Sequence, residues 1–152
     1  MSLDHDIDTI NSLITTTIDS ALGFERSAED ADAGRFAQFF REFGAERRQV
    51  VVRLQDYVRA LGGTPNDDGS LKADLHRRWV DLRDAISGEG DDSAIVAEVE
   101  RGEDYLKAKY DDALADNELA PNSLAVIREA YGSVRAGHDT ASALKHSMEA
   151  AS

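Results

Sequence analysis

The sequence predicts an all-helical domain: a four-helix bundle of two antiparallel hairpins joined by a long crossover that carries a short extra helix. Three observations lead there. Apolar residues recur at three- and four-residue steps over four long stretches, the spacing that lines side chains up on one helical face. The run Gly62-Gly63-Thr64-Pro65-Asn66-Asp67-Asp68-Gly69 and a second break over residues 87–92 divide those stretches into two pairs. Within each pair the join is short, which makes sequence neighbours antiparallel.

The first helix is expected over about residues 6–31, on the stripe Ile7, Ile10, Ile14, Thr17, Ala21, Phe24 and Ala28. The second, over about 33–61, carries Phe36, Phe39, Phe40, Phe43, Val50, Leu54, Tyr57 and Leu61, and stops at paired glycines that suit a C-terminal cap. Ser70 is a natural cap for the crossover helix, about 71–86, where Leu71, Leu75, Trp79, Leu82 and Ile86 share a face and Trp79 is expected as a packing or interface anchor. Asp91, Asp92 and Ser93 place acidic and hydroxyl groups where the next helix, about 92–115, begins. A loop containing Pro121 precedes the last helix, about 121–146, with its tail expected to fray beyond Lys145. Residues 1–152 are thus read as one domain.

Charge restricts the partners. Thirty acidic against seventeen basic side chains leave a net charge of -13, which repels phosphate backbones and anionic lipid headgroups, so neither nucleic acid nor a membrane is expected as a partner. The absence of cysteine removes disulfides, thiolate nucleophiles and thiolate metal sites. No signal peptide is visible at the N-terminus and no stretch approaches the roughly 20 apolar residues of a membrane span, so a cytoplasmic location is expected.

Several segments together resemble a family of small bacterial proteins known as a domain of unknown function and placed in the ferritin-like superfamily, with the rubrerythrins and bacterioferritins. They are Gly23-Phe24, Ala28-Glu29-Asp30-Ala31, Ala45-Glu46-Arg47-Arg48-Gln49, Leu61-Gly62-Gly63-Thr64-Pro65, Gly69-Ser70-Leu71, Leu75-His76-Arg77-Arg78-Trp79-Val80-Asp81-Leu82 and Glu100-Arg101-Gly102-Glu103-Asp104. The resemblance implies a ferritin-like bundle with a crossover helix and brings no established activity.

Di-iron sites in such bundles need Glu-x-x-His pairs, because carboxylates and imidazoles must converge between the helices. This chain has none. Its nearest counterparts are Glu46-Arg47-Arg48-Gln49 and Arg135-Ala136-Gly137-His138, each lacking one ligand. A helical-wheel reading puts Glu25, Arg47, Glu103 and His138 on their apolar stripes and Glu46 at the edge of its own. Burying such groups is costly unless they pair, so an inward polar cluster built on an Arg47–carboxylate contact is expected. The alternatives are side chains that reach solvent at the bundle ends, or a single divalent metal or degenerate iron site on Glu103, His138 and a carboxylate of the first or second helix. His5 and His146 lie in terminal segments and carry no weight as ligands.

A phosphate-binding glycine loop, a Gly-x-Ser-x-Gly elbow and EF-hand spacing are all missing, which argues against an enzyme. The resulting expectation is a non-enzymatic structural or stress-associated interaction protein without a cofactor, self-associating as a homo-oligomer through exposed apolar positions or the Trp79 segment. The competing expectation is a metal-binding or oxidative-stress protein holding iron, zinc or manganese. The sequence does not identify a protein partner.

Overall fold

A stripe of Ile10, Leu13, Ile14, Ile18, Ala21 and Phe24 is buried along the first helix, α1 (Leu3–Asp30). The computed structural model describes residues 3–30, 37–68 and 92–151, and the other helices there are α2 (Ala37–Ala60), α3 (Asp92–Leu114) and α4 (Pro121–Ala151). Among the described residues there is no strand, as the apolar periodicity predicts. The expected crossover helix over 71–86, with Trp79, and the join at 32–34 lie outside them.

Two boundaries differ from expectation. α1 starts at Leu3 rather than about residue 6, because Asp4 and Asp6 in its first turn complement the positive end of the helix dipole. α4 continues to Ala151 instead of fraying beyond Lys145, since Met148, Glu149, Ala150 and Ala151 are good helix formers. The other end of α2 stops where the glycines require. Gly62 has φ +87°, its N–H meets Arg59 O at 2.9 Å, and Gly63 N–H meets Val58 O at 3.0 Å, the paired bonds of a Schellman cap.

Contacts along the helices fix their directions. Arg47 of α2 reaches Ser20 of α1 while Asn66 beyond α2 bonds Asn11, so α1 and α2 are antiparallel. Asp104 with His138, and Glu100 with Lys145, make α3 and α4 antiparallel in turn. Thr17 meets Tyr110 and His5 meets Asp116, so α1 also opposes α3, and α2 and α3 point the same way. Packing is heaviest within each hairpin, with α1 on α3 and α2 on α4 closing the bundle.

The core has two apolar parts. The larger joins Ile10, Ile14 and Ile18 to Val50, Leu54 and Val58, Leu106 and Tyr110, and Ile127 and Val134. The smaller gathers Phe24 and Ala28 against Ala37 and Phe40, flanked by Phe39, Phe43, Val99 and Leu144. Between them runs a layer that is not apolar, built around Ser20, Arg47 and Glu103. Among the described residues no helix is long and apolar enough to cross a membrane.

Tyr110 in the larger part is wholly buried, and the Thr17 hydroxyl already donates to Leu13 O at 2.6 Å, so the phenol donates to Thr17 Oγ1 at 2.8 Å. Burial raises its pKa to about 12, outweighing the charge of Arg47, which lowers it. A folded-state value above the unfolded one gives stability that is complete below the unfolded pKa and lost as pH rises towards the folded pKa. We therefore expect the native chain to lose roughly 2–3 kcal/mol between about pH 10 and pH 12 through this one group. Alkaline titration at 295 nm beside far-UV circular dichroism checks it. A late ionisation step concurrent with unfolding should vanish in Tyr110→Phe; the same step in that variant would exclude Tyr110 as its source.

Candidate functional site: the polar layer of the bundle

Four helices contribute to the layer. Arg47 of α2 is 0% exposed and Glu103 of α3 is 2% exposed, so neither charge reaches water. The guanidinium and carboxylate meet in two parallel bonds, Nη2 to Oε1 at 2.5 Å and Nη1 to Oε2 at 3.2 Å, the fork that an arginine makes with a carboxylate. Ser20 of α1 donates to Glu103 Oε2 at 3.2 Å and accepts from Arg47 Nη1 at 3.3 Å. Arg47 Nη2 also donates to the α4 backbone at Val134 O, 3.3 Å away. The cation lies 5.5 Å from the centre of the Phe24 ring, a cation–π separation. Only Arg47 Nε finds no acceptor among the described residues.

Glycine makes the approach feasible. A methyl at Gly137 of α4 would overlap Arg47 Nη2 and come within 2.9 Å of Glu103 Oε1 and 3.1 Å of Phe43 Cδ1. Bare backbone at this point lets the ion pair sit against α4. Burial pushes the Glu103 carboxyl upward, and Arg47, Ser20 and His138 pull it back without reversing the direction.

The other residues singled out from the wheel sit at the margin. His138 is near enough for its charge to act on Glu103, yet its Nε2 is bonded to Asp104 Oδ1 at 2.5 Å and its Nδ1 to Asp139 Oδ1 at 3.2 Å. Burial lowers the imidazole pKa, but Asp139 and Asp104 outweigh it and the net direction is up. Glu25 turns away from the layer and forks onto Arg48, with both bonds at 2.9 Å on the exposed surface. Its long side chain can leave the stripe on which its Cα lies. Glu46 is half-buried. Trp79 lies outside the described residues.

These donors do not fit an ion in the middle of the bundle. Both Glu103 oxygens are engaged by a guanidinium, which cannot be deprotonated, and the two nitrogens of His138 face aspartates instead of the layer. A metal there would bring a second cation against one carboxylate.

A different cluster lies at one end of the bundle. His5 of α1, Asp116 and Glu118 offer ligating atoms that all lie within 4.8 Å of one another. His5 Nε2 is 2.7 Å from Asp116 Oδ2 and 3.9 Å from Glu118 Oε2. The position of His5 near the chain start gave no sign of this, because its partners are brought to it by the turn between α3 and α4. An Asx-type bond from Glu118 N–H to Asp116 Oδ1, at 2.9 Å, shapes that turn, and nearby Asp6 caps it by accepting from Ala120 N at 3.2 Å and Ser123 Oγ at 2.7 Å.

Comparison with known proteins adds a family and no activity. No curated protein matches the chain. The family described as Domain of unknown function (DUF2383) matches residues 5–116, which takes in most of α1, all of α2 and α3, and both members of the Arg47–Glu103 pair. With most of its length matched, this chain belongs to the DUF2383 family.

Proposed function

We propose that the protein is a non-enzymatic bundle of ferritin-like architecture, a structural or stress-associated interaction protein in which an internal guanidinium takes the place that a metal ion has in di-iron relatives. One observation carries this reading: the buried, doubly bonded Arg47–Glu103 pair spanning from α2 to α3, with Ser20 and Val134 O completing it from α1 and α4. The helix order supports the ferritin-like part. α2 and α3 point the same way, as they do in bundles with one long crossover and not in bundles with short loops throughout. Leu3, Val52 and Tyr105 are large apolar or aromatic side chains more than half exposed, on three different helices, and are the positions on which the proposed self-association would draw.

Two measurements test the reading. Metal analysis of protein purified without chelator and offered iron(II) or manganese should give the same content for the native chain and for Glu103→Gln. Stoichiometric metal that disappears in Glu103→Gln would refute the internal-cation reading. Light scattering over a wide concentration range should show association, and a monomer throughout would end the self-association part.

A further inference from the structure

We propose that His5, Asp116 and Glu118 form a divalent-cation site that clamps the start of α1 to the turn between α3 and α4. Its ligands would be one imidazole and two carboxylates, the donor mixture of zinc, manganese and iron(II) and not of calcium or magnesium, which favour oxygen alone. The site is separate from the polar layer and does not depend on the reading above.

The geometry supports the assignment from two sides. Ligands on a tetrahedral zinc at about 2.0–2.2 Å lie roughly 3.4 Å apart. Here the imidazole nitrogen lies 2.7 Å and 3.9 Å from the two carboxylate oxygens, so the ion requires the first pair to open by about 0.7 Å and the second to close by about 0.5 Å, and it draws together two carboxylates whose oxygens lie within 4.8 Å of each other. Their backbones are also held without the ion. His5 and Asp6 belong to a helix, and Asp6, 3% exposed, fastens the far side of the turn through Ala120 N and Ser123 Oγ. Asp116 fastens the near side through Glu118 N. The turn carrying two ligands is thereby fixed to the helix carrying the third, as a preorganised site requires.

Charge favours the same ligand. Asp116, Glu118 and Asp6 all bear on the His5 imidazole, an accumulation of negative charge that a divalent ion relieves in a chain already at -13. Glu118 is 74% exposed and the His5 side chain 36%, which leaves open coordination positions to water and gives an ion a path in.

Isothermal titration of the full chain with zinc chloride, repeated with manganese, tests the site, with thermal unfolding as a second readout. We expect one equivalent of zinc to bind and to raise the unfolding midpoint, because a ligand held only by the folded state stabilises it. Glu118→Gln is the main variant, since its exposed side chain can change without disturbing the fold; His5→Ala and Asp116→Asn are the companions. Each should weaken zinc by about tenfold or more, while His146→Ala and Glu103→Gln leave it unchanged. No zinc binding to the native chain at millimolar concentration would overturn the proposal, and so would binding that survives both Glu118→Gln and His5→Ala. Zinc lost in Glu103→Gln alone would overturn the internal-cation reading and place the ion in the polar layer.

Discussion

Replacing Arg47 by alanine is expected to cost about 3–5 kcal/mol, because it leaves the Glu103 carboxylate buried without a counter-charge. The size follows from what is stranded more than from what is removed. Among the described residues Glu103 then keeps only the Ser20 hydroxyl as a donor, at 3.2 Å, and its carboxylate is 2% exposed. Urea unfolding followed by circular dichroism measures the loss. Arg47→Met combined with Glu103→Leu removes both charges and fills the space with apolar atoms, and should recover most or all of the stability. A single Arg47→Ala variant as stable as the native chain would show that the pair is solvated after all. Equal losses from the single and the double replacement would show that shape, and not charge, holds this layer together.

Gly137→Ala is the second large effect, although it adds one methyl to a helix that alanine otherwise favours. On helix propensity the change should stabilise by up to about 1 kcal/mol. The added carbon, however, meets Arg47 Nη2, Glu103 Oε1 and Phe43 Cδ1, and the ion pair cannot retreat without breaking its short bond. Overpacking of this kind costs about 1–3 kcal/mol or more, so the net effect is destabilising. In a background carrying Arg47→Ala and Glu103→Ala, the same glycine replacement should become neutral or stabilising. That reversal of sign in a double-mutant cycle is the diagnostic result. If Gly137→Ala stabilises the native chain, α4 lies farther from the pair than described.

The elements legible in the sequence were those set by local periodicity. The stripes of α1 and α2, the glycine cap at Gly62 and the start of α4 at Pro121 all follow from spacing and backbone chemistry within a few residues. Arg47 and Glu103 were legible too, since a charge on an apolar stripe needs a partner. Glu25 and His138 were harder to place, because a wheel gives a direction at Cβ and not where a long side chain ends or which neighbour, here Arg48 or Asp104, draws it outward. The role of Gly137 has no local signature: it depends on an arginine ninety residues earlier. The cluster at His5 was missed for a related reason, as Asp116 is 111 residues away and only the antiparallel pairing of α1 and α3 brings it near.

The division of the core into two apolar parts has a consequence for alignment. Oily seams tolerate sliding, since a helix displaced by one turn, about 5.4 Å, finds leucines, isoleucines and valines much like those it left. The ion pair does not. Any such displacement of α2 against α3 would part the guanidinium from its carboxylate, and one of α4 would bring a side chain where Gly137 gives clearance. The layer therefore acts as a detent along the bundle axis, penalising shifted assemblies that the apolar residues alone would accept.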